Sequence, residues 1–430
     1  MAQLAAGPPP DETMDEYRPL RGVRVLEVSQ VLAGAFACMV LADLGAEVIK
    51  IERPGGGDPS RGYGPPFVDD SAYYFHSLNR NKRSIAIALD GPDGQQLLRD
   101  LAARSDVLVH NLLPESATAL GVTPEVLKAG NPSLIFASVS AYGDIPGLGD
   151  KPGLDMLIQA VAGAMSLTGL DENSPVKSAV PIADIAAGLF TVIAVMAALL
   201  EQRPSGGSQS PEVQVSLVRS VVASLPFHWG ECVIDGRDPI RRGNGHGSIV
   251  PYNTFKSADG YSVALAVSSD THWHVLCEEL GLSHLNDDSS LDANSGRVAR
   301  REYVEKEIGA AMVLLSADQI VKRLEHVGVP LARGNSRADV VRKDLREGWN
   351  LFRVQGEFQR DGATRDLLVA ASPISFNGRD PSPRAAPRLG QHTLEVLGEL
   401  GVHTSEIERL VQSGIVQVAS SITQVDSEPV

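Results

Sequence analysis

A single carboxylate, Asp184, stands at the front of a long uncharged run. The stretch from residue 180 to 201 reads VPIADIAAGLFTVIAVMAALLE, and no other charge precedes Glu201. Two roles suit Asp184. It is an N-cap that accepts hydrogen bonds from free backbone amides at the positive end of a helix, or it is a nucleophile that the same amides and dipole hold ionised. A second carboxylate, Asp155, opens DMLIQAVAGAM. It is either another cap or a partner to Asp184, and the separation that decides between paired acid and base work is not written in sequence spacing. The densest glycine cluster is RRGNGHGS at 241–248. With Gly243, Gly245 and Gly247 at alternate positions it is a mobile cover, an amide-lined cradle or an ordinary turn. His246 within it is alone, and reads as a cover or surface residue more than as a general base.

Cations recur just after apolar strands: Lys50, Arg53 and Arg61, then Arg80, Lys82 and Arg83 in NRNKRS. Taken singly each reads as a solvated charge; as a set they suit a phosphorylated ligand. Asn111, at another strand end, adds a neutral donor. His272 and His274 are two apart and do not share a helical face as a metal pair does. The three cysteines, Cys38, Cys232 and Cys277, have no CxxC spacing, so we expect neither a disulfide framework nor a metal site.

These residues are positioned by a regular alternation. VRVLEVS, EVIKIE, SIAIAL, VLVHNL and LIFASVSAY are apolar, β-rich runs, and 32–44, GPDGQQLLRDLAAR and TPEVLKAG between them are helical. That order predicts an α/β fold with a mostly parallel sheet covered on both faces, and ligands beyond the carboxyl ends of its strands. Ile185 to Leu200 is apolar on nearly every side and Gly-interrupted, and reads as a buried helix more than as a membrane span. EVQVSL is a strand, VRSVVASLPFHWGECVI a helix, and TFKSADGYSVALAV a hairpin. RREYVEKEIGAAMVLLSADQIVKRLEHVGVP is a pair of amphipathic helices, short strands and turns follow, and GQHTLEVLGELG and SEIERLVQSG close the chain.

Charge and ends bound the function. A net charge of −15 over 430 residues disfavours nucleic acid or an anionic membrane as the main partner. The acid- and Pro-bearing first residues resemble neither a signal nor a transit peptide. With the unpaired cysteines they point to the cytoplasm. A nicotinamide site is disfavoured because QVLAGAFAC after the first strand carries Gly34 alone. Glu52, where a ribose-binding acid would stand, is then a surface or ion-paired residue.

In order along the chain, LRGVRVLEVSQVLAGAFACMVLADLGAEVIKIERPGGGDPSR, NRNKRS, SVSAYG, KPGLDMLIQAVAGAM and the Asp184 helix resemble the class III CoA-transferases. Within that family GPPFV, HGSIVPYNTFKSADGY and LGQHT are similar to the succinyl-CoA:glutarate and related dicarboxylate enzymes. The resemblance spans about Leu20 to Gly414. It implies a large Rossmann-like domain from 20–225 and 331–418, a smaller α+β domain at 226–330, tails at 1–19 and 419–430, and an interlocked homodimer. It assigns Asp184 as nucleophile and Asp155 as the acid beside it. Gly243 to Gly247 become the loop over the intermediates, Arg53, Lys82 and Asn111 the lining of the CoA site, and Val31 and Leu32 the neighbours of the thioester. Coenzyme A is then substrate, with no metal or further cofactor, and CoA passes from an acyl-CoA, succinyl-CoA foremost, to a dicarboxylic acid. Arg242 or His246 is the cation expected for the distal carboxylate.

Three departures narrow this. Leu32 replaces the glutamine of formyl-CoA transferase, against oxalate or formate. Ala119 replaces a family arginine, altering one phosphate contact. Leu154 stands where the related α-methylacyl-CoA racemases carry their basic histidine, and a racemase needs a proton acceptor on each side of the α-carbon. A racemase-like enzyme and a non-catalytic CoA-binding protein are the alternatives.

Overall fold

The computed structural model describes residues 18–169, 174–205, 210–238, 240–360, 363–381 and 383–419. All but the inner ends of the two expected tails lie outside them. The chain packs as two units. The first takes residues 18–162, 179–226 and 350–419 of the described chain, the second Gly163–Ser178 and Phe227–Trp349.

The first unit is built on a sheet of seven strands: β1 (Arg24–Val28), β2 (Glu47–Glu52), β3 (Arg83–Ile87), β4 (Val107–His110), β5 (Ile135–Ser140), β6 (Glu212–Ser216) and β7 (Val416–Gln417). Their order is β7-β3-β2-β1-β4-β5-β6, parallel throughout except that β7 runs antiparallel to β3. Successive strand residues face opposite sides, and here both sides are buried. Leu26, Ile49, Ile85 and Leu108 face one apolar layer, and Val25, Val48 and Val107 the other. This is why the strands read as continuous apolar runs rather than alternating ones.

Helix α1 (Ala33–Asp43) covers the second of these faces, and every residue but Phe36 is buried. Three further helices shape the site: α2 (Tyr73–Leu78), α3 (Asp155–Val161) and α4 (Ile182–Ser205). α4 crosses α1 closely. A Cβ added to Gly188 would lie 2.8 Å from Phe36 Cδ1 and 3.0 Å from the Ala33 carbonyl oxygen, so glycine sets this approach. α4 runs longer than the sequence suggested, and is the one helix among the described residues long and apolar enough to cross a membrane by length and composition. Its buried face, Ala187, Val195 and Ala198 among it, belongs to the core with α1, while Leu189, Phe190, Ile193 and Leu200 are exposed. The all-round burial expected of this helix is therefore corrected to one buried face. Its other side is an apolar surface that this chain alone leaves open.

The second unit holds a three-stranded antiparallel sheet of Tyr252–Lys256, Ser262–Ala266 and Leu331–Arg333, with the hairpin expected from sequence in its first two strands. Trp273, Leu276, Val304, Ile308 and Ile320 fill its core. Two differences from the sequence reading have local causes. The expected single helix over VRSVVASLPFHWGECVI is two, Leu217–Ala223 and Gly230–Asp235, because Pro226 cannot continue a helix. The return to the first unit falls at residue 350 rather than 331. Leu331–Arg333 pairs with Val263–Leu265, and an unforeseen helix, Arg337–Glu347, follows from a Ser336/Asp339 capping box.

Candidate active site

Asp184 is the third residue of α4. It does not cap the helix. Asp155 does, accepting a hydrogen bond from the Ala183 amide at 2.9 Å through Oδ1 while Oδ2 accepts from Gln159 Nε2 at 2.7 Å. The two carboxylates are thus neighbours with divided roles, Asp155 satisfied by the Ala183 amide and Gln159, and the Asp184 carboxylate making no hydrogen bond among the described residues. Burial and then the Asp155 charge push the Asp184 pKa up to about 7. The expectation that helix amides hold Asp184 ionised is therefore corrected: no such amide is bonded to it, and desolvation dominates. A carboxylate that resists ionisation is the more basic and more reactive nucleophile once its proton has left.

Tyr74 of α2 joins this corner, although no sequence pattern singles it out. Its phenol is held well above the ordinary tyrosine value by burial and by the charges of Asp184, Tyr63, Asp58 and Asp155. It stands edge-to-face with Tyr63, ring centroids 5.6 Å apart. The hydroxyl makes no hydrogen bond among the described residues and stays protonated, a neutral donor beside an acid.

The cations divide sharply. Lys82, expected to line the CoA site, is buried: its Nζ meets Glu27 Oε2 at 2.8 Å, Ala35 O at 2.9 Å and Asn79 Oδ1 at 2.9 Å. Lys50 Nζ lies 2.7 Å from Glu27 Oε1 and 2.9 Å from Asp58 Oδ2. Arg61 grips Glu52 through two nitrogens at 2.7 and 2.8 Å and lies 3.7 Å over the Phe75 ring. Arg80 pairs with Asp43, and Arg83 with Glu47 and Glu399. Of the six, Arg53 alone is exposed with no carboxylate partner among the described residues. The sequence could show that basic residues follow the strands. It could not show that buried acids inside the strands themselves, Glu27 and Glu52, neutralise three of them, Lys50, Lys82 and Arg61.

Asn111 binds the turn after β1: its Oδ1 accepts from the Gln30 amide and its Nδ2 donates to the Gln30 carbonyl, both at 2.8 Å. Its amide thus fixes that turn. Val31 follows at φ 65°, and Leu32 is buried at the start of α1. A Cβ on Gly188, four residues after Asp184 in α4, would lie 3.0 Å from the Ala33 carbonyl oxygen, so the start of α1, just after Val31 and Leu32, packs against the first turns of α4.

In the second unit Gly243, Gly245 and Gly247 line a cavity of about 470 Å³ with Phe227, His228, Glu231, Arg242, His246 and Tyr252. Gly243 takes φ 57°, which favours glycine. The segment is tied down at its far end, where Arg301 donates to the carbonyls of His246 at 2.7 Å and Gly247 at 3.1 Å. His246 packs on Tyr252 and its Nδ1 accepts from the Ser248 amide at 3.1 Å. Arg242 donates to the Ile240 carbonyl at 3.2 Å and has no carboxylate partner among the described residues.

The profile of CoA-transferase family III matches residues 20–393. A succinyl-CoA:glutarate CoA-transferase of Mus musculus is 35% identical over 409 residues, 95% of this chain and 92% of that protein. A succinate–glutarate CoA-transferase of Agrobacterium fabrum is 35% identical over 393 residues, 89% and 96% of the two chains. The crystal structure of a CAIB/BAIF family protein from Brucella suis superposes with a TM-score of 0.79 at 32% identity, covering 90% of this chain and all of that one.

Proposed function

The chain belongs to CoA-transferase family III, and from that premise we propose that it moves coenzyme A from succinyl-CoA to a dicarboxylic acid of the glutarate class, with Asp184 as the covalent relay. The observation that carries this reading is the unbonded Asp184 carboxylate, pushed up to about 7 by burial and Asp155 at the head of α4. Ionised, it attacks the thioester carbonyl; the C–S bond breaks and CoA leaves as thiolate, giving a mixed succinyl–aspartyl anhydride. The thiolate returns to the aspartyl carbonyl and expels succinate, leaving an aspartyl-CoA thioester. The acceptor carboxylate then attacks that thioester, and the released thiolate takes the acyl group from the new anhydride, regenerating Asp184. Each bond broken is matched by one of similar energy, so the acyl potential survives if water is kept out.

Tyr74 is placed to donate to an oxyanion beside Asp184. The glycine segment is the proposed cover, and Arg242 or His246 the contact for the acceptor's distal carboxylate. We place the first unit among the Rossmann-like folds on its β3-β2-β1-β4-β5-β6 order. We read the exposed apolar side chains of α4, with Leu154, Met156, Leu157 and Val161 at α3, as the surface of an interlocked homodimer. The three free cysteines fit a cytoplasmic enzyme.

Arg53, exposed just after β2 and with no carboxylate partner among the described residues, is our candidate for a CoA phosphate. Arg53→Ala should raise KM for succinyl-CoA about tenfold with kcat and the thermal midpoint unchanged; an unaltered KM removes it from the site. The reading as a whole is tested by offering succinyl-CoA with glutarate, malate, citramalate, itaconate, oxalate and acetate in turn. Transfer to dicarboxylates of four or five carbons is expected. Failure with every dicarboxylate would refute the substrate class, and α-proton exchange in a 2-methylacyl-CoA without transfer would favour the racemase.

A further inference from the structure

We propose that the buried Lys50–Asp58 pair positions the reacting corner, clamping the turn between β1 and α1 in a left-handed conformation that Val31 would not adopt unaided. This rests on the reading of Asp184 as the relay, because the turn leads into the start of α1, which packs against the first turns of the helix that carries Asp184.

Three consecutive residues of the turn are held by three different side chains. Lys50 Nζ donates to the Ser29 carbonyl at 2.9 Å. Asn111 brackets Gln30, taking its amide and giving to its carbonyl. Asp58 accepts from the Val31 amide, with 3.2 and 3.3 Å to its two oxygens. The last contact is the telling one. Val31 is β-branched and sits at φ 65°, a region such residues avoid because the side chain crowds its own backbone. Strain of this kind persists only where the surroundings over-determine it.

Asp58 is made for the task. Lys50 lies 2.9 Å from its Oδ2, and Ser60 gives it an amide at 2.8 Å and a hydroxyl at 2.7 Å through Oδ1. Both side chains of the pair are 1% exposed. Burial alone would raise the Asp58 pKa, but Lys50 and Ser60 overcome it and hold it at about 2, so the carboxylate stays charged wherever the enzyme works. Lys50 is anchored in turn on Glu27 at 2.7 Å. The chain of contacts therefore runs from a buried strand carboxylate through Lys50 and Asp58 to the Val31 amide. The turn it fixes is tight as well: a Cβ on Gly34 would lie 2.5 Å from Ser29 Cβ, so α1 starts directly against the end of β1. Asp58 touches no reacting atom in this scheme. It acts through the backbone of Gln30–Leu32 and is a positioning residue.

The test is a double-mutant cycle of Asp58→Asn with Val31→Gly, read from steady-state transfer from succinyl-CoA to its best acceptor. Asparagine keeps the shape but loses the charge that Lys50 and the amide oppose; glycine takes the left-handed turn without strain. Asp58→Asn should lower kcat about 10- to 100-fold with KM for succinyl-CoA changed less than about threefold. In the Val31→Gly background the same substitution should lower kcat by no more than about threefold. Equal losses in both backgrounds, or no loss in either, overturn the proposal. Should Asp58→Asn prove insoluble, Asn111→Ser loosens the same turn from its exposed side, and the same suppression by Val31→Gly is required. Wild-type protein that turns over but gives no covalent label at Asp184 would refute the relay while leaving the cycle readable, so the two failures are distinct.

Discussion

Asp184→Asn should lose transfer activity by at least about 10⁴-fold while becoming more stable than the wild type at neutral and alkaline pH. The first effect follows from the loss of the attacking oxygen. The second follows from its burial. In the unfolded chain Asp184 titrates near the ordinary aspartate value of about 3.9, whereas the folded site pushes it up to about 7. The native state therefore binds this proton more tightly, and stability is lost as pH rises from about 4 through 7. Asparagine escapes that penalty. The gain is complete above pH 7, shrinks between 7 and 4, and vanishes below. A tenfold change in proton affinity is worth about 1.4 kcal/mol, so the gain reaches at most about 4 kcal/mol, less in so far as water reaches the half-buried carboxyl. Thermal unfolding of both proteins across this range measures it. A variant that is inactive and less stable at pH 8 would mean that the residue holds the fold and not the chemistry. The same site sets the pH profile. In the wild type kcat/KM should rise with pH to a plateau above about 7. Asp155→Asn keeps the acceptor for the Ala183 amide but removes the neighbouring charge, moving the limb to lower pH.

Lys82→Met separates two accounts of one lysine. If Lys82 bound a CoA phosphate, the variant would raise KM for succinyl-CoA and leave folding intact. Its geometry predicts the reverse. Lys82 and Glu27 are both 0% exposed and 2.8 Å apart, and removing one member of a buried pair leaves the other charge uncompensated, at a cost of about 3–5 kcal/mol. Lys50 still faces Glu27, but it is shared with Asp58. The urea midpoint should therefore fall well below that of the wild type, and Glu27→Gln added to Lys82→Met should recover most of the loss. A wild-type midpoint with a raised KM would return Lys82 to the ligand site.

Much of the scaffold was legible because it obeys local rules. The β1–α1–β2 unit follows from an apolar strand, a run of small apolar residues and Gly45. The 252–266 hairpin follows from its central ADG turn. The helix Arg337–Glu347 announced itself in Ser336 and Asp339, a capping signature that could have been read. The site was legible in part. Asp184 stood out as a lone carboxylate before an apolar helix, and Asp155 as an acid at a helix start, yet which of them caps α4 depends on how the two helices meet. Lys82 and Lys50 could not be told from ligand cations, since their partner Glu27 occupies a position in β1 where an apolar residue is the ordinary expectation. Tyr74 carried no signal, because its relation to Asp184 arises only when α2 folds against that corner. Val31's left-handed backbone was hidden for the opposite reason: the sequence places there a residue that argues against it.

In the mechanism we propose, Asp184 carries the acyl group and then CoA. Brief incubation with succinyl-CoA, quenching with hydroxylamine and peptide mass spectrometry test it most directly. A hydroxamate on Asp184 is expected, formed only when succinyl-CoA is present and absent from Asp184→Asn. An unmodified Asp184 during active turnover, or label on another carboxylate, would contradict it.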